Sequence, residues 1–433
     1  MESLHSPEET SSDETGTETE PGAEKRKVSL TILTNSELQA FRDCGYKWGL
    51  SYPRGLRPKV APRALAFGSA VHSGLEAICR TMGSPDLVGL PTAELVDRLG
   101  PISDVAISRA FGEWYKARLA QGLDDEALMA MAEEAEETQR TARWMARRYI
   151  DRNHLDWDNL VALAVEMPFK VPLRDRLGRA SPHFAWAGVI DLVAYDRNVD
   201  DIVVYDHKTT KGAVDSVDRR VELDPQMAGY LHAVRELLRA FPAGWKIPNH
   251  GAVMLATEAL QRASRGEIGT GRVTYNVLRK KAPSEPKVNK DGSVSVAAVD
   301  TTPEMYAAAL AAQEERGKPI TPAHAEVLSK LAGRGDTFLG RREFYRSDDE
   351  VTRWMHETFV DARRLREAER DDTARTRNPG NCTMPWSMQC TYRSVCLDPD
   401  APEHLEHFEV RPRHQEVRAA EQRTETETED DDA

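Results

Sequence analysis

The sequence predicts an α+β fold, with helices packed on a central mixed β-sheet. Three observations carry that reading. Residues 160–173, 184–195 and 202–208 are apolar runs separated by short polar turns, the pattern of successive strands paired antiparallel. Residues 92–153 space their apolar residues loosely at three and four, in two stretches over 103–121 and 124–152, as helices do. Residues 222–240 repeat the helical spacing, and the apolar runs 251–257 and 271–278 are expected to complete the sheet.

Length allows one large domain or two ordinary ones, since the chain has 433 residues. A net charge of −13 speaks against a nucleic-acid partner until the charge is located. Residues 1–28 carry a net −5 and residues 415–433 a net −6, which leaves about −2 between them. Such ends have the composition of disordered segments. We therefore expect disordered acidic tails at 1–28 and 413–433 around one folded domain over 29–412. No signal-like apolar segment opens the chain and no run of about 18 apolar residues occurs, so an intracellular, cytoplasmic protein is expected.

In chain order, a short apolar stretch leads into a helix from about Glu37, with Asn35 or Ser36 as N-cap. Lys47, Arg54, Arg57, Lys59 and Arg63 follow, interleaved with Trp48 and Tyr52. That mix suits contact with single-stranded nucleic acid and equally an ordinary surface loop. Residues 64–82 read as a helix bearing His72, with Cys79 as a small buried side chain among Leu75 and Ile78. The helical insertion 92–153 reads as scaffold. Its second stretch carries acids early and arginines late, as the helix dipole favours. Residues 279–300 read as a mobile loop made basic by Lys280, Lys281, Lys287 and Lys290. An alanine-rich helix over 302–333, a short strand over 338–345 and a charged helix over 348–370 complete the pass. The sequence Gly-x-x-x-x-Gly-Lys-Ser/Thr is absent, which excludes a helicase or ATPase acting by itself.

Three charges do not belong in core strands: Asp191 in the second run, and Asp206 and Lys208 at the end of the third. Residues i and i+2 of a strand share a face, so Asp206 and Lys208 project together, and a hairpin partner can bring Asp191 beside them. Burying three charges is costly unless they pair or hold a metal. Carboxylates suit Mg²⁺ or Mn²⁺, and the lysine suits a water nucleophile or a phosphate. A salt bridge at a strand end is the other reading of a lone D-x-K.

The arrangement Gly188-x-x-Asp191 followed by Asp206-x-Lys208-Thr209 resembles the PD-(D/E)XK nuclease superfamily in its RecB-like branch. Phe67-Gly-Ser-Ala-Val-His72 resembles the G-x-x-x-H of that branch, and Gln226-Met-Ala-Gly-Tyr230 its Q-x-x-x-Y, whose spacing places both side chains on one helical face. The resemblance implies a restriction-endonuclease-like core. It implies a metal held by His72, Asp191, Asp206 and the backbone carbonyl of His207, and catalysis by Asp191, Asp206, Lys208, Gln226 and Tyr230. Glu166 stands where the family often has a glutamate.

Of five cysteines, three crowd together as Cys382, Cys390 and Cys396. Clustered thiols in a reducing compartment point to a metal or cluster, and Cys44 is the candidate fourth ligand. A lone upstream cysteine before a triplet resembles the iron–sulfur RecB-like nucleases, among them the AddB nuclease domains, the CRISPR-associated adaptation nucleases and phage-encoded members. It implies a [4Fe–4S] cluster on Cys44, Cys382, Cys390 and Cys396, near the stretch 378–400. The first interval of the triplet departs from those relatives, with seven residues between Cys382 and Cys390. Zn²⁺ suits four thiolates as well.

These expectations describe a metal-dependent deoxyribonuclease, an exonuclease on single-stranded ends, in recombination, repair or phage DNA processing in a bacterial or phage-infected cell. A helicase or recombination protein is the expected partner. The alternative is a noncatalytic or partner-dependent DNA-binding subunit that keeps the fold and the cluster.

Overall fold

A computed structural model describes residues 30–59, 63–120, 125–214, 221–297, 300–384 and 388–431. The tail expected over 1–28 lies outside these residues. The chain opens with β1 (Thr31–Leu33), α1 (Asn35–Asp43), α2 (Gly45–Ser51) and β2 (Leu56–Pro58). Three long helices follow, α3 (Arg63–Cys79), α4 (Thr92–Leu119) and α5 (Asp125–Arg152), then the single turn α6 (Asp156–Asn159). The central strands are β3 (Leu160–Arg174), β4 (Ala180–Asp196) and β5 (Asp201–Thr210). Next come α7 (Pro225–Arg239), α8 (Val253–Ser264) and β6 (Gly269–Arg279). After these the chain forms α9 (Pro303–Glu315), α10 (Pro322–Gly333), β7 (Leu339–Tyr345) and α11 (Asp348–Arg370). It closes with the two-residue strands β8 (Thr383–Met384) and β9 (Met388–Gln389), then α12 (Arg393–Leu397), β10 (Phe408–Val410) and α13 (Gln415–Asp431).

Local chemistry explains several boundaries. The Thr34 hydroxyl accepts from the Glu37 amide at 3.3 Å and caps α1. Asp224 caps α7 through the Gln226 amide, with Pro225 at the first helical position. A capping box of Ser347 and Glu350 starts α11. At the β3–β4 turn, Asp175 Oδ1 accepts from the amides of Leu177 and Arg179.

Among the described residues six strands make one mixed sheet. β3–β4, β4–β5 and β6–β7 are antiparallel, while β1–β4 and β5–β6 are parallel. Helices cover both faces. On one face Met227, Leu231, Trp354 and Leu365 pack with Trp186 and Val204. On the other Val71, Leu75, Ile107 and Tyr149 pack with Leu192 and Tyr205.

Three stretches differ from the sequence reading, the first being 302–333, where α9 and α10 stand in place of one helix. Residues 251–257 are not a strand: a 3₁₀ turn, His250–Ala252, leads into α8 at Val253, and Ala256, Ala259, Leu260 and Ala263 are buried at helical spacing. Residues assigned to the second acidic tail include the helix α13, in which Val417 and Ala420 are buried. The basic segment after β6 is irregular, yet Val294 is buried with Tyr306, Leu310 and Leu331, which anchors it. Among the described residues no helix is long and apolar enough to cross a membrane.

Candidate active site

The β4–β5 ladder ends at the pair Leu192–Tyr205. Beyond it β4 stays beside β3, while β5 stays beside β6. The sheet forks there, and Asp191 and Asp206 are the first residues inside the fork. Alternation along β5 sends Val204 to the α7 side and Tyr205 to the α3 side, so Asp206 faces α7 and His207 faces α3.

β3 and β4 both break their alternation at this level. Val165 and Met167 would share a face in a regular strand, yet they pack in opposite cores, and so do Ile190 and Leu192. The backbone at Glu166 has φ 47°, a left-handed conformation uncommon for a non-glycine residue. There both strands roll over with no change of register, since Val165–Leu192 and Met167–Ile190 pair on either side. Glu166 and Asp191 are thereby aimed into the space under α3.

A connected set of side chains fills the fork. Lys208 Nζ donates to Gln226 Oε1 at 2.7 Å and to Asp206 Oδ1 at 3.1 Å. Gln226 Nε2 donates to Asp206 Oδ1 at 3.1 Å and to the Tyr230 hydroxyl at 2.5 Å. Asp191 Oδ2 accepts from the His207 amide at 2.7 Å and lies 3.6 Å from His72 Nδ1. His72, Glu166, Asp191, Asp206, Lys208 and Gln226 line one open cavity of about 570 Å³. The His207 ring turns to the α3 side, toward Asn276 and Cys79, and stands edge-on to the His72 ring at 6.2 Å.

Electrostatics make this cavity uncomfortable without a cation. Burial and the charges of Asp191 and Glu76 push the Glu166 carboxyl up to about 8. Burial also raises Asp206, with Asp191 adding to it against the pull of Lys208. For Lys208 burial disfavours the ammonium, but Asp206 and Asp224 outweigh it and hold the group above its ordinary value. Lys208 Nζ stands 2.9 Å from Asp206 Oδ2, but its aligned hydrogen bond goes to Oδ1, and Oδ2 is buried without one. Ligand atoms of His72, Glu166 and Asp191 all lie within 4.8 Å of one another. An imidazole, two carboxylates and an underused buried carboxylate oxygen nearby suit a hard divalent ion.

The fold thus brings His72, Asp191, Asp206, Lys208, Gln226 and Tyr230 to one place, along with the His207 backbone. Asp206 is outside the three-ligand group, because Lys208 and Gln226 engage it. Glu166 is the residue the motif reading undervalued. Its signal was a carboxylate interrupting an apolar strand, which becomes informative only once the left-handed backbone at Glu166 is known. Trp48 and Tyr52 do not offer stacking faces. Both are buried, and the Trp48 indole donates to Glu37 at 2.8 Å.

The cysteines lie apart from this cavity. The Cys44 thiol accepts from the Lys47 amide at the start of α2, and the Cys390 amide donates to the Cys382 carbonyl at 3.0 Å. The side chains of Asn378 and Asn381 donate to the Asp43 carbonyl, tying the approach to Cys382 beside Cys44. Among the described residues the four thiols are not gathered to the spacing of the His72 group. Cys79 is fully buried, and burial raises its thiol far above the ordinary value.

Two comparisons bear on identity. A family model described as the PD-(D/E)XK nuclease superfamily matches residues 32–397. No curated protein matches the chain significantly.

Proposed function

The chain belongs to the PD-(D/E)XK nuclease superfamily, whose members are metal-dependent nucleases, and from that premise we propose a RecB-like deoxyribonuclease that trims single-stranded ends. The observation that carries the reading is the forked sheet, where a chain of hydrogen bonds holds Lys208 across one cavity from the His72, Glu166 and Asp191 ligand group.

His72, Glu166 and Asp191 would hold Mg²⁺ or Mn²⁺, with Asp206 and the His207 carbonyl as further ligands. When bound, the ion supplies Lewis acidity toward the phosphate and lowers the pKa of a water. Lys208 orients the attacking water and offsets the negative charge that grows on the phosphate oxygens. Water adds to phosphorus as the bond to the leaving sugar oxygen breaks. Tyr230 and Asp206 occupy the Gln226 amide nitrogen, so its carbonyl oxygen is turned to Lys208. Gln226 is thus a positioning residue.

Purified protein and Lys208→Ala, each tested on an end-labelled single strand with Mn²⁺, provide the test. Wild type should release short products, and the variant should stay folded with activity lower by about 10²- to 10³-fold. Cleavage by Lys208→Ala at the wild-type rate would overturn the assignment. A wild type that binds DNA and cleaves nothing would favour the noncatalytic subunit. Activity appearing only beside a helicase or recombination protein would favour the partner-dependent one. Recombination, repair or phage DNA processing is the setting we infer.

We further infer a [4Fe–4S] cluster on Cys44, Cys382, Cys390 and Cys396, with Zn²⁺ as the second reading. What supports one centre is that Asn378 and Asn381 tie the approach to Cys382 to the Asp43 carbonyl beside Cys44, that the Cys390 amide donates to the Cys382 carbonyl, and that the Cys382, Cys44 and Cys390 thiols join burial in raising the Cys396 thiol against the pull of Arg377.

A further inference from the structure

A second cavity, of about 560 Å³, adjoins the catalytic one, and Lys280 lines both. Its walls are α3 at Phe67, α5 at Glu137 and Arg140, and the chain following β5 and β6 at Lys211, Lys280 and Lys281. Among the described residues four cationic side chains thus meet one carboxylate. Lys281 is engaged by Asp300 at 2.7 Å. The Lys280 ammonium stands 5.6 Å from the centre of the buried Phe67 ring. Burial and the neighbouring Lys211 hold Lys280 below its ordinary range. Two ammonium groups kept close in a half-dry place are a site for an anion.

The backbone sets where that anion would lie. Pairing of β5 with β6 ends at Thr210–Arg279, and the Lys280 amide donates to the Thr210 carbonyl at 2.7 Å. Lys211 and Lys280 are therefore neighbours just past the ladder. Lys208 lies three residues before Lys211 on the same extended chain, roughly 10 Å away at strand rise. A Cβ at Gly68 would stand 3.4 Å from Thr209 Oγ1 and 3.8 Å from Lys280 Nζ, so a larger side chain there would fill the passage between the cavities. The volume suits a group of nucleotide size.

We propose that this basic slot holds the sugar–phosphate backbone of a single strand next to the scissile bond, with Lys280 and Lys211 as positioning residues on the neighbouring phosphate. The proposal rests on the nuclease reading and deepens it. Binding of a labelled single-stranded oligonucleotide is measured against salt in the full-length Lys208→Ala background, where substrate persists. Adding Lys280→Gln or Lys211→Gln should weaken binding uniformly across sequences and flatten the log–log salt slope by about 0.7 each. Lys280→Arg should restore both. Lys290→Gln, on the exposed loop, should change neither. Melting temperatures equal to the background establish that the variants fold. Unchanged slopes in both slot variants, or an equal loss in Lys290→Gln, overturn the slot. Wild-type cleavage of the same strand with Mn²⁺ keeps the two readings separable. Cleavage with unaltered slot binding sinks the slot alone, and slot-dependent binding without cleavage sinks the nuclease reading alone.

Discussion

Glu166 carries a conflict that the fold maintains: a carboxyl buried beside Asp191, on a backbone turned to a left-handed φ. Its folded pKa of about 8 lies above the ordinary 4.5. The ion-free folded state therefore keeps a proton that the unfolded state has released between those values. Stability of the ion-free protein should fall as pH rises through that window and level off above 8. Glu166→Gln removes this penalty. We expect it to melt higher than wild type in chelator at pH 8, by at least about 1 kcal/mol, with the advantage vanishing as pH falls below 4.5. Metal affinity should drop by at least about tenfold, so activity should need more Mn²⁺. Equal melting curves at pH 8 would mean that the carboxyl is not strained there. Asp206 and Lys208 were legible in the sequence because two-residue periodicity alone puts them on one face. Glu166 was not, because its direction depends on a left-handed backbone turn at that one residue, which no local pattern announces.

At the scale of elements, the site depends on how closely α7 approaches the sheet. Gly229 lies between Gln226 and Tyr230 on that helix. A Cβ there would meet Trp186 Nε1 at 2.7 Å and Trp354 Cζ2 at 2.8 Å. Both rings are buried and stack edge to face, so neither can yield cheaply. Gly229→Ala should cost about 1–3 kcal/mol by overpacking and push the Gln226 face outward. Turnover should fall by up to about 100-fold. Half-saturating Mn²⁺ should hold steady, since His72, Glu166 and Asp191 sit on α3, β3 and β4. A lower melting temperature with undiminished turnover per folded molecule would show that Gln226 is placed by something other than helix packing. The strands and long helices were readable from apolar periodicity. Residues 251–257 were misread because a short apolar run looks alike in a buried strand and a buried helix, and the deciding residues, Ala259, Leu260 and Ala263, come after it.

Across the whole molecule, an early and a late segment of the described residues are bound to each other, a long-range arrangement that no sequence window contains. β10 pairs with β2, and Arg413 with His414 engages the buried Glu37. Among the described residues the region carrying the cysteines has only a small core of its own, Leu50, Leu56, Tyr392, Val395 and Phe408, with Cys390 against it. Five buried apolar side chains are too few to hold a segment of that length unaided. A centre joining Cys44 to Cys382, Cys390 and Cys396 would close nearly the whole domain into one loop and stabilise it chiefly as structure. Cys390→Ser should therefore yield insoluble protein, or protein that proteases cut first in the 375–400 stretch. Lys208→Ala, by contrast, should yield normal, inactive protein, because its site sits on the large core. Anaerobically purified wild type should absorb broadly in the blue if the centre is iron–sulfur and not at all if it is zinc. A soluble serine variant with full metal content would show that the two segments are held by the Glu37 network and the β2–β10 pair alone. The cysteines would then owe their grouping to something other than stability.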